Sequence, residues 1–118
     1  MSTSWKQSKY RNRKIETHDG LFDSQKEYDR WLELCTLQNL GYITDLKRQV
    51  SYELIPAQTN GKKKYRPTVY VADFQYLNKN GEFVVEDVKG YRKGAAYQMF
   101  MVKAKLMAQE YGIWVTEV

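Results

Sequence analysis

Two segments of the chain carry apolar residues at helical spacing, and they predict helices over residues 24–40 and 94–110. Ser24 precedes the first segment, and Glu27 follows it at the spacing of a capping box. We expect the inward positions to be Tyr28, Trp31, Leu32 and Cys35 in the first helix and Ala95, Tyr97, Met99, Val102 and Leu106 in the second. This pattern puts Glu27 at the boundary between core and solvent.

Segments rich in β-branched and aromatic residues predict the strands. They cover residues 42–55, 65–77, 82–89 and 113–118, with a short hairpin at 15–22, a polar turn at 57–64 and a tight turn at 78–81. Strands joined by short turns pair antiparallel, whereas a strand that follows a crossover helix can pair in parallel. The expected fold class is therefore α/β, with αβββαβ order and a mixed sheet that carries a helix on each face.

The length and composition of the chain limit what it can be. Its 118 residues suffice for one domain with a buried core, which we expect at residues 15–118. The single cysteine and the single histidine exclude a disulfide framework and a histidine-rich metal site. The chain has no apolar run that could span a membrane, and its first residues lack the apolar stretch of a signal peptide. We therefore expect a cytoplasmic protein.

The excess of positive charge lies at the start of the chain. Residues 1–14 contain Lys6, Lys9, Arg11, Arg13 and Lys14 and no acid, while the remaining residues hold equal numbers of basic and acidic side chains. A second basic cluster is formed by Lys62, Lys63 and Lys64. A flexible basic arm and a basic turn are typical of a protein that contacts nucleic acid phosphates. Both are also compatible with a solvated tail and a solvated turn.

Three acidic residues and a lysine form the candidate chemistry. Asp73 interrupts an apolar strand, where an unneutralised carboxylate is costly. Asp87 and Lys89 share one face of the next strand because side chains alternate, and Glu86 lies on the other face. The tight turn between the strands brings Asp73 near Asp87, and Glu27 could complete the acidic set. Such carboxylates either hold a hard divalent cation or form structural pairs with lysine and arginine.

The predicted order of elements resembles the restriction-endonuclease-like, or PD-(D/E)XK, core. Its signature is an acid on the second strand, acid-x-Lys on the third and often a Glu on the first helix. Three phrases also look like a family of small phage and prophage proteins that is taken to be nuclease-like. They are Asp19-Gly20-Leu21-Phe22-Asp23-Ser24-x-x-Glu27, Tyr70-Val71-Ala72-Asp73-Phe74 and Val85-Glu86-Asp87-Val88-Lys89-Gly90. The chain departs from the pattern at Ala72, where proline is usual, and at Asp87, where glutamate is commoner.

The resemblance implies that Glu27, Asp73, Asp87 and the carbonyl of Val88 hold Mg²⁺ or Mn²⁺. It implies that Lys89 activates water or steadies the scissile phosphate, so that the catalytic residues are Glu27, Asp73, Asp87 and Lys89. Further candidates for DNA contact are Arg92, Lys93, Gln98 and Lys103. The expected protein is a metal-dependent DNA endonuclease of phage or prophage origin that acts in a bacterial cytoplasm.

Nucleases similar to it in layout include Holliday-junction resolvases, which act as dimers on branched DNA, and transposon end-cleaving enzymes. The alternative is a DNA-binding or phage regulatory module that keeps the scaffold and does not cleave. A ribonuclease is a third, weaker alternative, which the basic arm leaves open.

Overall fold

The computed structural model describes residues 14–118, and within that range the chain forms eight strands and two helices. In chain order they are β1 (Ile15–Thr17), β2 (Gly20–Phe22), α1 (Gln25–Asn39), β3 (Thr44–Ile55), β4 (Gln58–Asn60), β5 (Lys63–Tyr65), β6 (Thr68–Leu77), β7 (Phe83–Asp87), α2 (Gly94–Tyr111) and β8 (Thr116–Glu117). The predicted arm lies outside the described residues except for Lys14. No helix of the described part is long and apolar enough to cross a membrane.

The main sheet has four strands in the spatial order β3-β6-β7-β8. β3, β6 and β7 are antiparallel neighbours, and β8 pairs with β7 in parallel after the α2 crossover. The strands β1 and β2 form a separate hairpin, as do β4 and β5. The predicted α/β class, the αβββαβ order and the mixed sheet are confirmed.

Each helix covers one face of the sheet. On the α1 face, Leu34 packs in a cluster with Ile43, Phe74 and Tyr76. On the α2 face, the cluster consists of Leu54, Tyr70, Ala72, Val85, Phe100 and Met107. Strand β7 separates the two, since Val84 and Val88 pack on the α1 face and Val85 packs on the α2 face.

The predicted inward faces of the helices were partly wrong. In α1, Leu32 is 42% exposed and Leu34 is fully buried. In α2, Met99 and Val102 are 55% and 48% exposed, whereas Phe100 is buried. Apolar residues occur nearly all round α2, so that helical spacing alone does not select one face. Packing against the sheet selects it, and the Phe100 ring lies beside that of Tyr70.

The strand boundaries also differ from the expectation at several points. The predicted polar turn at 57–64 contains most of the β4–β5 hairpin, and β6 begins at Thr68. Pro56 and Pro67 flank this hairpin, and proline separates strands because it lacks the amide N–H that a ladder needs. β7 ends at Asp87, two residues earlier than predicted, and β8 has only two residues.

Strands β3 and β6 change face at the same level. In a regular strand, all even-numbered residues lie on one face. In β6, however, Tyr70 and Ala72 pack in the α2-face cluster and Phe74 and Tyr76 pack in the α1-face cluster. The change therefore occurs at Asp73, between Ala72 and Phe74.

The same change occurs in β3. Leu46 packs in the α1-face cluster, while Tyr52 and Leu54 pack in the α2-face cluster. The register pairs Arg48 with Phe74 and Val50 with Ala72, so that Gln49 lies level with Asp73. Gln49 has a left-handed backbone, with φ 52°. The face change leaves Gln49 and Asp73 side by side at the border between the two halves of the core.

Candidate active site

Asp73 lies where strands β6 and β7 part. The last pair of their ladder joins Phe74 to Glu86. Beyond it, the Asp73 carboxylate accepts the Val88 amide N–H at 2.8 Å, so a side chain takes the place of a backbone acceptor. This bond ties Asp73 directly to the segment that carries Asp87 and Lys89.

Asp87 and Lys89 meet on the α2 face of β7. Lys89 Nζ lies 3.1 Å from Asp87 Oδ1 and 3.7 Å from the centroid of the Phe100 ring. The hydroxyl of Tyr70 donates to Asp87 Oδ2 at 2.7 Å. Burial, and next the charge of Asp87, raise the pKa of Tyr70 far above its ordinary value, so this hydroxyl stays a donor. The Asp87 carboxylate is therefore held from both sides.

The backbone of this segment is fixed by the last residues of the chain. Val118 N–H donates to the Asp87 carbonyl at 2.9 Å, and Lys89 N–H donates to the Val118 carbonyl at 3.1 Å. In addition, Lys26 Nζ donates to the Lys89 carbonyl at 2.7 Å, which connects the first turn of α1 to the same segment. Asp87 and Lys89 are thus held on the side of β8 and on the side of α1.

Glu86 points away from this group, as the alternation of side chains predicts. It is 1% exposed. Arg30 binds it with two hydrogen bonds, from Nε at 2.8 Å and from Nη2 at 2.7 Å, and the Tyr76 hydroxyl donates at 2.6 Å. Its two oxygens are committed to a structural ion pair on the α1 face.

Glu27 reaches the site from the first turn of α1. Its amide N–H donates to Ser24 Oγ at 3.1 Å, which is half of the predicted capping box. We expected Glu27 at the boundary of the core, but it is 3% exposed. Burial, followed by the charge of Asp23, raises the pKa of Glu27, while Arg48 lowers it.

Arg48 stands over the same corner of the site. Its Nη2 lies 3.9 Å from Glu27 Oε2 and donates to the Leu21 carbonyl at 2.7 Å. Its guanidinium carbon lies 3.6 Å from the centroid of the Phe22 ring. Gly20 allows this approach, because a Cβ there would come within 3.2 Å of Arg48 Nη1. The β1–β2 hairpin therefore holds the positively charged guanidinium of Arg48 beside Glu27.

Gln49 belongs to this group, and the sequence did not identify it. Its Nε2 lies 3.3 Å from Glu27 Oε2 and 3.5 Å from Asp73 Oδ1. The amide thus joins a carboxylate of α1 to a carboxylate of β6. A glutamine in a strand carries no signal of a site, and only its register opposite Asp73 could have pointed to it.

The electrostatics of the group centre on Asp73. Burial raises the pKa of Asp73 to about 7, opposed by the Val88 amide and reinforced by the nearby Asp87 and Glu27 carboxylates. No lysine, arginine or histidine in the described range 14–118 forms an ion pair with Asp73. Within residues 14–118, Asp73 is therefore the carboxyl group of this cluster that has no paired cation.

The donor set matches a hard divalent cation in kind. Carboxylate and carbonyl oxygens are what Mg²⁺ and Mn²⁺ prefer, and the carboxylates of Glu27, Asp73 and Asp87 converge here. In the present arrangement, however, residues 14–118 contain no group of three or more acidic, histidine or cysteine side chains that could hold an ion. The contact between Glu27 and Asp73 is made through the amide of Gln49.

A cavity of about 290 Å³ opens beside the acids on the α2 face. Asp87, Lys89 and Lys103 line it together with the apolar side chains of Met99 and Phe100. Lys103 Nζ donates to the Val69 carbonyl at 2.9 Å. Lys103 is therefore a predicted DNA contact that lines the same cavity as Asp87 and Lys89.

The other predicted DNA contacts are spread over the surface. Lys62, Lys63 and Lys64 are exposed on the β4–β5 hairpin, and Lys93 and Gln98 are exposed at the start of α2. Arg92 pairs with Glu117 at 3.0 Å, and Lys14 pairs with Asp23 at 2.8 Å. Lys6, Lys9, Arg11 and Arg13 lie outside the described residues.

Comparison with known proteins gives a family without an assigned activity. Neither a search of curated proteins nor a search of solved structures found a match. A scan against protein families matched residues 7–117, which is nearly the whole chain. The chain belongs to the family described as "Protein of unknown function (DUF1064)".

Proposed function

We propose that the protein is a metal-dependent DNA endonuclease that hydrolyses phosphodiester bonds. The observation that carries the proposal is the convergence at the parting of β6 and β7. There Asp73, bound to the Val88 amide, meets Glu27 through Gln49, next to the Asp87–Lys89 pair. Buried carboxylates that exceed their cations, with a lysine beside them, are the parts of a site that binds a cation and a phosphate.

Glu27, Asp73, Asp87 and the Val88 carbonyl would hold Mg²⁺ or Mn²⁺. When bound, such an ion supplies a Lewis acid for the phosphoryl oxygens and a water of lowered pKa. The chain's own contribution is to keep these oxygens together in a region partly closed to water. Tyr70 orients the Asp87 carboxylate by its hydrogen bond, and the Val88 amide orients that of Asp73.

Lys89 supplies the positive charge of the mechanism. Its ammonium is held at Asp87 and over the face of the Phe100 ring. From there it can donate a hydrogen bond to a phosphate oxygen or to the attacking water. Such a donor stabilises the charge that develops on the phosphate in the transition state.

The substrate we propose is duplex or branched DNA, with a Holliday junction as one form. Exposed Lys62, Lys63 and Lys64 would contact the backbone phosphates, and Lys103 would act at the cavity beside Lys89. Phage or prophage origin, action in a bacterial cytoplasm and function as a homodimer belong to the same proposal.

One observation favours a second candidate, a DNA-binding or phage regulatory module without cleavage. Among residues 14–118 no set of three side chains is arranged to hold an ion, and Asp87 is paired with Lys89. In that case the acids are structural partners of the neighbouring polar groups, and binding depends on the basic surface alone.

The deciding experiment is a cleavage assay on labelled four-way junction, nicked, single-stranded and linear duplex DNA, with Mg²⁺ or Mn²⁺ and with EDTA. The wild type is compared with Asp87→Ala and Lys89→Ala. Glu33→Gln is the control, because it removes an exposed carboxylate charge on α1 whose pair with Arg30 lies at the surface. Metal-dependent cutting that only the first two variants lose supports the endonuclease. DNA binding without cutting by the wild type supports the second candidate.

A further inference from the structure

Gln49 has a backbone conformation that its position in the sheet does not require. Its φ is 52°, in the left-handed region that glutamine rarely adopts. A second residue of β3, Asp45, also has a left-handed backbone, with φ 57°. Asp45 lies in a bulge, because the register advances by three residues in β3 and by two in β6 between the pairs Thr44–Leu77 and Lys47–Gln75. No such extra residue occurs at Gln49, where the register is continuous.

The change of face in β3 does not explain the conformation either. Strand β6 makes the same change of face at Asp73 without a positive φ. Within the described range, the non-glycine residues with a positive φ are Asp45 and Gln49. Burial is no cause, because Gln49 is exposed. In this conformation, Gln49 Nε2 lies 3.3 Å from Glu27 Oε2 and 3.5 Å from Asp73 Oδ1.

We propose that Gln49 is a positioning residue of the cation site, an inference that rests on the proposed endonuclease function. Its amide holds the Glu27 and Asp73 carboxylates at one separation before an ion binds. Two carboxylates on different elements would otherwise repel each other and turn outward. Strained backbone is retained in proteins where the surrounding structure and the function demand it.

Two substitutions at position 49 and one control test the proposal. Gln49→Met keeps the length of the side chain and removes the amide. Gln49→Gly removes the amide and also suits the left-handed backbone, so that it folds even where the methionine variant does not. Asp45→Gly is the control, because it makes the same backbone change in the same strand away from the acids.

The readout is the affinity of the full chain for Mn²⁺, measured by isothermal titration calorimetry. We expect both Gln49 variants to bind about 10- to 100-fold more weakly than the wild type, as for other groups that orient metal ligands. Asp45→Gly should bind like the wild type. Wild-type affinity in both Gln49 variants would overturn the positioning role and leave the endonuclease proposal intact. A wild type that binds no Mn²⁺ would overturn both.

A second readout needs no cation. In ¹H–¹⁵N spectra, the side-chain amide signal of Gln49 is the one that Gln49→Met removes. We expect that signal to shift when Asp73→Asn or Glu27→Gln replaces one of its acceptors, and to stay in place in Asp45→Gly. A signal that neither acceptor variant moves would show that the amide is not bound to the carboxylates, and would overturn the inference.

Discussion

The carboxylate of Asp73 accepts the amide N–H of Val88 at 2.8 Å, at the level where the ladder between β6 and β7 ends. A side chain thus continues the hydrogen bonding that the backbone of β6 no longer provides. The bond keeps a partly buried acid in contact with the segment that carries Asp87 and Lys89. Because desolvation and the charges of Asp87 and Glu27 raise the pKa of Asp73, its protonation affects the stability of the fold.

Without divalent cations, the free energy of unfolding should fall as the pH rises from about 4 to about 7. The pKa of Asp73 is about 7 in the folded protein against an ordinary value of 3.8, so the folded state binds more protons in this window. Below this pH window, Asp73 is protonated in both the folded and the unfolded state, and its contribution to the free energy of unfolding is fully present. Above it, the contribution, on the order of a few kcal/mol, is lost.

Asp73→Asn checks this dependence, because asparagine keeps an acceptor for Val88 and does not titrate. Urea unfolding at about pH 5 and about pH 8 should show a smaller difference for the variant than for the wild type. At the higher pH, Mn²⁺ should stabilise the wild type and not the variant. Equal differences for the two proteins would contradict the assignment to Asp73.

Arg30→Ala should destabilise the fold by about 3–5 kcal/mol, because it leaves the carboxylate of Glu86 buried without its cation. The pair of Arg30 with the exposed Glu33 adds little. Denaturant unfolding gives the loss, and the double variant with Glu86→Gln should recover part of it. A cost below about 1 kcal/mol for Arg30→Ala would show that water reaches Glu86.

Replacing Lys62, Lys63 and Lys64 together by alanine should weaken DNA binding and reduce its dependence on salt. For every phosphate that a lysine no longer neutralises, the slope of log K against log salt should become shallower by about 0.9. Fluorescence anisotropy over a salt series measures both quantities. The hairpin is exposed, so the thermal unfolding midpoint should not change. An unchanged slope would show that the hairpin does not contact the DNA.

Leu34→Ala should cost about 2–5 kcal/mol of stability, whereas Leu32→Ala should change it by less than about 0.5 kcal/mol. The first side chain is fully buried, and the second is 42% exposed. Urea unfolding of both variants measures the two losses in the free energy of unfolding. Similar losses would mean that α1 is rotated relative to the face described above.

These two leucines also show where prediction from the sequence stops. The existence of α1 could be predicted from its cap and its apolar residues, but both leucines satisfy a helical spacing. Which one is buried depends on the partners that the sheet offers. For β7 the prediction succeeded, because strict alternation of Val84 to Val88 leaves Glu86 and Asp87 no choice of face.

The candidate site was predictable in the same partial way. Asp73 and Asp87 stand out in the sequence because they occur in otherwise apolar strands, whereas Glu27 was singled out by its capping-box spacing and by the resemblance. Gln49 does not stand out, since neither its residue type nor its spacing is unusual. Its place depends on a left-handed backbone in the middle of a strand, which no local pattern predicts for glutamine.

The support that Val118 gives to Asp87 and Lys89 has a consequence for synthesis of the protein. Glu27 in α1 leaves the ribosome early in synthesis. The hydrogen bonds that hold the Asp87–Lys89 segment on its β8 side form only after residue 118 has also been synthesised. A nascent or prematurely released chain that ends before β8 contains Glu27, Asp73, Asp87 and Lys89 and lacks the strand that fixes the last two. Until β8 has been synthesised, therefore, the backbone hydrogen bonds that hold Asp87 and Lys89 on that side cannot form.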